Sequence, residues 1–288
     1  MAIQIQPASK HVTVNGVRLH YLDWGNAGAQ TFLLLHGFTG HARSWDAFSR
    51  VAAGSYHVLA LDQRGHGDSA WTENYGTEAM VADVDAFVGE LGLKRFVLLG
   101  LSMGGRNALN YAAMHPQEVE RLVIVDIGPE IDASGATRIA TGVRANDVFE
   151  SKEEAFAQAR RANERPPEEH HRYRIYHNLM QMPDGRWTWK YDKALRSGDP
   201  STGLRAGPAQ NRRPAIPSEQ QWANWASIRC PILLLRGELS DVLSPAVAER
   251  MVQDNANTKL VSIPDSGHSI PLDRPDAFEA AVREWLRT

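Results

Sequence analysis

The segment Val97-Leu98-Leu99-Gly100-Leu101-Ser102-Met103-Gly104-Gly105 constrains this chain more than any other. An apolar run too continuous for a surface strand passes directly into Gly-x-Ser-x-Gly, and from there into the helical pattern Met103 to His115. A serine on so abrupt a strand-to-helix turn has strained backbone angles, and its neighbours two positions away must be nearly free of side chain to avoid collision. Gly100 and Gly104 meet that need. The pattern predicts a nucleophile elbow, with the Ser102 hydroxyl presented at the carboxyl end of a buried strand. A glycine-rich turn carrying a serine by chance is the bland alternative, and the strand and helix around it favour the elbow.

The rest of the chain supplies a setting for such a strand. Alternating stretches His11 to Val14 and Val17 to Asp23 flank Asn15-Gly16, the strongest two-residue hairpin signal. Short β-branched or Leu-rich runs follow at Thr31 to His36, His57 to Asp62, Arg95 to Leu101 and Arg121 to Asp126, and suit a parallel sheet buried on both faces. Helical patterns lie between them at Ser44 to Ala53, Thr77 to Leu91 and Met103 to His115, so the alternation predicts a doubly wound α/β sheet. From Gly128 to Trp225 the alternation stops and the charge balance turns basic, which marks an insertion, 128–225, expected to be a mostly helical cap. Within it Glu153 to Arg161 and Glu168 to Met180 read as helices and Gly198 to Pro217 as a loop. Strand and helix resume with Pro231 to Arg236, Pro245 to Gln253, Lys259 to Ile263 and Pro275 to Arg287, so the core is 1–127 plus 226–288.

Composition limits the partners. A net charge of −3 on 288 residues gives no basic field to hold a phosphate backbone, so nucleic acid is not an expected partner. The single cysteine, Cys230, lies in an apolar run and reads as core. There is no signal-peptide pattern at Met1 to Asn15 and no apolar run of about 18 residues, so the expectation is a cytoplasmic protein without a membrane span.

A serine hydroxyl needs a base, and the base needs orienting. His268, in the loop Pro264-Asp265-Ser266-Gly267-His268 after the last strand, is the best placed of the 11 histidines, because loops at the carboxyl ends of parallel strands collect ligands. Two carboxylates keep the chain order serine, aspartate, histidine: Asp241, in the loop one strand before His268, and Asp126, at the end of the strand Leu122 to Val125. Asp241 is preferred, since its loop precedes the histidine loop by one strand and Gly237 lets the chain turn. For an oxyanion, the turn His36-Gly37-Phe38-Thr39-Gly40 offers the Phe38 N–H, and the start of the elbow helix offers the Met103 N–H. The His36 side chain itself reads as structural.

Five segments in this order, His36 to Gly40, Asp62-Gln63-Arg64-Gly65-His66-Gly67-Asp68-Ser69, Gly100 to Gly105, Gly237 to Asp241 and Asp265 to His268, resemble the α/β-hydrolase superfamily. The resemblance spans Val12 to Leu286 apart from the cap. It implies a mostly parallel eight-stranded sheet with helices on both faces, a cap inserted after the sixth strand, the triad Ser102, Asp241 and His268, and Phe38 and Met103 as the oxyanion hole. Ser102 stands where haloalkane dehalogenases and epoxide hydrolases of the superfamily carry aspartate, and Leu101 where carbon-carbon hydrolases usually carry a small polar residue. Ser102-Met103-Gly104-Gly105-Arg106 also resembles the elbow of the menaquinone-pathway synthase, whose arginine binds a substrate carboxylate; Arg106 would do the same, or be a solvated helical arginine.

The inserted segment adds Tyr173, Tyr176, Met180, Met182, Trp187, Trp189, Tyr191, Trp222 and Trp225. Some of these, Trp187 and Trp189 among them, would roof an apolar pocket over Ser102; the plainer role is the cap's own core. Gly65-x-Gly67-x-x-Ala70 after a strand has the outline of a dinucleotide turn but no helix follows. His170, His171 and His177 lack zinc spacing. The expected activity is that of a carboxylesterase-type serine hydrolase acting on a small, apolar ester or related acyl compound, with no metal or organic cofactor. Lactonase and carbon-carbon hydrolase chemistry on the same triad are the alternatives, and a slow-turnover ligand-binding receptor is the rival from another class. Oligomeric state is not legible.

Overall fold

Asn15 and Gly16 both take positive φ, 51° and 74°, the geometry an Asn-Gly hairpin turn requires. They join β1 (Ala8–Val14) to β2 (Val17–Asp23) in antiparallel register from Ala8↔Asp23 to Val14↔Val17. These coordinates are a computed structural model that describes residues 6–132, 135, 137, 146–196 and 216–288. The predicted loop Gly198 to Pro217 falls almost wholly outside the described residues.

The remaining strands, in chain order, are β3 (Thr31–Leu35), β4 (His57–Leu61), β5 (Phe96–Leu101), β6 (Val119–Val125), β7 (Val148–Phe149), β8 (Leu179–Gln181), β9 (Trp187–Trp189), β10 (Ile232–Gly237) and β11 (Thr258–Ile263). Eight of them form one sheet in the order β1-β2-β4-β3-β5-β6-β10-β11, parallel from β4 to β11 and antiparallel only at the hairpin and its junction with β4. The α/β-hydrolase architecture expected from the sequence is therefore present.

The continuity of the apolar runs has a direct cause. Side chains alternate along a strand, so a strand covered on both faces needs apolar residues at every position. Leu33, Leu35, Leu98, Leu122, Ile124 and Leu234 point into one core, shared with the helices Thr77–Glu90, Met103–Met114 and Pro245–Asp254. Their alternates Phe32, Leu34, Val97, Leu99, Val123 and Leu233 point into the other, closed by Phe48 of the helix Asp46–Ala52 and by Phe278, Val282 and Trp285 of the helix Pro275–Leu286. Cys230 packs, partly buried, at the edge of the first core, and burial pushes its thiol pKa up to about 11.

Between β6 and β10 lie two helices, Lys152–Ala162 and Glu168–His177, and a small antiparallel sheet of order β7-β9-β8. The first helix is capped by Ser151, whose Oγ accepts the Glu154 N–H, and carries acidic residues in its first turn and arginines in its last, as the helix dipole favours. The sheet departs from a mostly helical reading: the second predicted helix stops at His177, and Met180, Trp187 and Trp189 stand on strands. Phe149, Ala155, Phe156, Ile175 and Leu179 give this segment a core of its own. Trp222 and Trp225, also read with the insertion, belong instead to the main core; their helix Ser218–Ser227 packs along Met103–Met114, where Asn224 Nδ2 donates to Asn110 Oδ1 at 2.7 Å.

Polar contacts hold the inserted segment over the carboxyl ends of the strands. Asn178 Nδ2 donates to Thr39 O (2.9 Å), Tyr173 to Asp46 (2.6 Å), Lys190 to Asp68 (2.7 Å), Tyr75 to Asp192 (2.5 Å), and Asn163 to Asp273 (2.7 Å).

Candidate active site

Ser102 has φ 53° and ψ −114°, a left-handed conformation that a non-glycine residue adopts only under constraint. The constraint is packing by its neighbours. A Cβ on Gly100 would lie 2.2 Å from Gly104 O, and one on Gly104 would lie 2.4 Å from Leu35 O and 2.5 Å from His36 O. The Ser102 N–H is anchored to Val125 O of the adjacent strand at 3.0 Å. The hydroxyl is thus fixed at the junction of β5 with the helix Met103–Met114.

His268 Nε2 lies 2.8 Å from Ser102 Oγ, and its Nδ1 lies 2.8 Å from Asp126 Oδ2. Because a carboxylate only accepts, Nδ1 carries the proton and Nε2 presents its lone pair to the serine. Asp126 is fully buried and itself takes a positive φ of 52°. Its other contacts are the Gly237 N–H, donated to Oδ1 at 2.9 Å, and the Ser240 hydroxyl, donated to Oδ2.

The carboxylate at the imidazole is therefore Asp126, not the preferred Asp241. Both ring nitrogens of His268 are occupied, and the loop containing Asp241 reaches the centre through Gly237 and Ser240. The physical reason is strand order. β6 lies between β5, which delivers Ser102, and β10, so the tip of β6 stands between the serine and the loop after β11 that carries His268. Sequence order does not reveal that placement.

The turn after β3 sits against the serine: a Cβ on Gly37 would be 3.4 Å from Ser102 Cβ. Thr39 has φ 58°, and the Gly40 N–H closes the turn on Gly37 O at 2.9 Å. His36 holds it, with Nδ1 donating to Gly37 O (2.8 Å) and Nε2 accepting the Gln63 N–H (3.0 Å); burial pulls its pKa down to about 3, so the ring is neutral. Gln63 links the two halves of the site, donating to His36 O (2.7 Å) and accepting from Asn107 on the elbow helix (2.6 Å). Phe38 and Met103 flank Ser102 from these two elements, and the Met103 N–H lies in the first turn of its helix, where amides lack intrahelical acceptors.

The motif Asp62 to Ser69 buttresses this arrangement. Asp62 is buried, and although burial would raise its carboxyl, the His20 imidazole at 2.7 Å, nearby His36 and the Asp68 N–H outweigh it and hold the pKa at about 2. A Cβ on Gly67 would strike the Asp62 carboxyl at 2.2 Å and one on Gly65 the Tyr75 ring at 2.3 Å, so both glycines serve close packing. His20, Asp62 and Asp68 form the one grouping of potential metal-ligating atoms among the described residues, but His20 and Asp62 bond each other and Asp68 binds Lys190.

The family model described as the alpha/beta hydrolase fold matches residues 30–275. The chain belongs to the alpha/beta hydrolase fold family. Curated relatives include a 3-hydroxybutyrate-oligomer hydrolase of Cupriavidus necator, 26% identical with 92% of this chain and 89% of the relative covered, and an esterase of Mycobacterium tuberculosis, 29% identical with 93% and 86% covered. Among solved structures, an E-2-(acetamidomethylene)succinate hydrolase superposes with a TM-score of 0.87 over 98% of this chain and 100% of its own at 21% identity. Family membership supports a hydrolase.

In this alpha/beta hydrolase the remaining candidate residues separate. Trp187 packs partly buried on the inserted segment's core with the Lys152 ammonium 4.4 Å above its ring. Trp189 touches that core and also stacks on Tyr191 at 6.0 Å, part of a cluster with Met103, Met80, Tyr75, Leu195 and Phe38. Tyr191 is thus the aromatic group nearer the elbow, and nothing in its sequence neighbourhood distinguishes it from the other aromatics of the insertion. Arg106, one turn beyond Ser102, donates its N–H to Ser102 O at 2.9 Å, while its side chain makes no hydrogen bond or ion pair with a described residue, and burial pulls its pKa down to about 10. Among the described residues no helix is long and apolar enough to cross a membrane.

Proposed function

We propose that this chain is a serine hydrolase cleaving a carboxylic ester, or a related acyl bond, of a small substrate through an acyl-enzyme on Ser102. The observation that carries the reading is the unbroken hydrogen-bond chain from Ser102 Oγ through His268 to buried Asp126. His268 Nε2 takes the Ser102 proton as Oγ attacks the acyl carbon; the negative charge developing on the carbonyl oxygen is met by the Phe38 and Met103 N–H groups. The imidazolium, stabilised by Asp126, returns that proton to the departing alcohol. A water then loses its proton to the same Nε2 and attacks the acyl carbon, and the proton passes back to Oγ as the acid leaves. Arg106 is the group we assign to a substrate carboxylate, since its guanidinium has no partner among the described residues.

The esterase and the 3-hydroxybutyrate-oligomer hydrolase among the relatives support acyl-ester chemistry. The test is turnover of a p-nitrophenyl ester series by the parent and Ser102→Ala, with fluorophosphonate labelling followed by mass spectrometry. The expected result is label on Ser102 and a loss of at least about a thousandfold in kcat for the variant. Equal turnover by both proteins would overturn the assignment. Homoserine lactones and a vinylogous diketone in the same panel separate lactonase and carbon-carbon hydrolase activity. A single stoichiometric burst without turnover would point to a receptor.

A further inference from the structure

The segment 237–241 does not supply its aspartate to the imidazole, yet it meets the carboxylate that is there twice. The Gly237 N–H donates to Asp126 Oδ1 at 2.9 Å, and the Ser240 hydroxyl donates to Asp126 Oδ2, the same oxygen that accepts His268 Nδ1 at 2.8 Å. A hydroxyl has one proton and two lone pairs. The Val242 N–H at 3.1 Å and the Leu243 N–H at 3.4 Å both donate to Ser240 Oγ, so its lone pairs are taken and its proton is directed at Asp126. The loop is tied down in turn. The Ser240 N–H closes on Gly237 O (2.9 Å), the Leu239 N–H reaches Ser266 O (2.9 Å) two residues before His268, and the Arg236 guanidinium donates to Leu243 O (2.9 Å). A Cβ on Gly237 would lie 2.2 Å from Gly267 O, so the loop after β10 and the loop carrying His268 are in backbone contact here.

The last torsion of an aspartate joins a tetrahedral carbon to a planar one and has broad wells, so the side chain does not fix the plane of its own carboxylate. Hydrogen bonds have to set that plane. At Asp126 the Gly237 N–H holds one oxygen and the Ser240 hydroxyl the other, which keeps Oδ2 aligned with Nδ1 and the imidazole in the tautomer that offers Nε2 to Ser102. The Gly237 donor belongs to the main chain. Ser240 is the donor that a side-chain change can remove.

We infer that Ser240 is a positioning residue for the Ser102 centre: its hydroxyl sets the plane of the Asp126 carboxylate and, through it, the orientation of His268. The role rests on the hydrolase reading for its effect on turnover, whereas the alignment of Asp126 with His268 is a property of the resting protein. Ser240 acts on the reaction only through Asp126, and that route gives it a signature that a merely loop-stabilising serine lacks.

The test compares the parent, Ser240→Ala, Ser240→Thr, Asp126→Asn and the double variant Ser240→Ala with Asp126→Asn on p-nitrophenyl acetate, with Tm recorded for each. Ser240→Ala is expected to lower kcat by about ten- to a hundredfold, as the loss of one hydrogen bond to a charged group would, with KM within about twofold. Ser240→Thr retains the hydroxyl and should recover most of that loss. In the Asp126→Asn background the same Ser240→Ala change should alter kcat by less than about twofold, because the group it acts through is already gone. Loss of the loop's own hydrogen bonds would instead lower Tm and kcat alike in both backgrounds. The second measurement is the proton NMR resonance of the hydrogen-bonded His268 Nδ1–H, identified by its disappearance in His268→Gln. It should move or broaden in Ser240→Ala and stay in place in Ser240→Thr. An unmoved resonance in Ser240→Ala, an equal loss of kcat in both backgrounds, or no loss at all overturns the role. A resonance that responds to Ser240→Ala in a protein that turns over no ester keeps the positioning of Asp126 and removes the hydrolase reading.

Discussion

Asp126 and Asp241 differ in what surrounds a carboxylate at each position. Asp126 donates its N–H to Leu235 O across the sheet and folds its side chain back, through a φ of 52°, onto the Gly237 N–H, the Ser240 hydroxyl and the His268 ring. Three donors converge on one fully buried carboxylate, which fixes its orientation toward the imidazole. Asp126→Asn removes that charge and permits the wrong imidazole tautomer, so kcat on a p-nitrophenyl ester should fall by about 10⁴-fold. Asp241→Asn should stay within a fewfold of the parent. The reverse ranking, in variants of matched circular dichroism, would return the role to Asp241. Residue types were readable in sequence here; Ser102, His268 and both aspartates stand out by motif and chain order. What sequence does not encode locally is which strand lies beside which, and that neighbour relation decides between the two aspartates.

At the scale of elements, legibility follows the length of the periodic signal. Runs of four residues buried on both faces, such as Phe32 to Leu35 within β3 or Leu122 to Val125 within β6, are conspicuous because every position is apolar. The strands β7, β8 and β9 have two or three residues each and exist through pairing with one another, so no period can announce them. Trp222 and Trp225 stand out in the sequence, but not the helix Ser218–Ser227 that carries them nor its allegiance, because packing on Met103–Met114 is a long-range fact. Its two tryptophans give a test of where the core ends. Trp225 is fully buried with its indole N–H on Met251 O at 2.7 Å, whereas Trp187 is half-buried on the inserted segment. Trp225→Ala should cost about 3–5 kcal/mol in urea unfolding, with Trp187→Ala markedly less. Equal losses would mean that the inserted segment and the sheet share one cooperative core.

For the whole molecule, acid stability is governed by histidines that the fold keeps neutral. Burial pulls His36 and His41 down to about 3 and His66 to about 4, the last despite the Arg64 carbonyl accepting from its ring. In the unfolded chain these imidazoles titrate near 6.5, so between about pH 6.5 and 4 the unfolded state binds protons that the native state refuses. Their contribution to stability is full above pH 6.5 and is lost as pH falls. One proton changes the unfolding free energy by about 1.4 kcal/mol per pH unit, and three approach about 4 kcal/mol per unit. Asp62, held at about 2, acts with the same sign, but only below its unfolded value near 3.8, outside that window. Against a typical total of about 5–15 kcal/mol, the histidines alone should bring unfolding on between about pH 5 and 4. Urea titrations followed by tryptophan fluorescence at half-unit steps from pH 7 to 4.5 measure the slope directly, and His36→Asn should make it shallower by about one proton whatever it does to the absolute stability. A flat profile across that range would mean that these rings are protonated in the native protein, and a protonated His36 could not accept the Gln63 N–H that holds the turn beside Ser102.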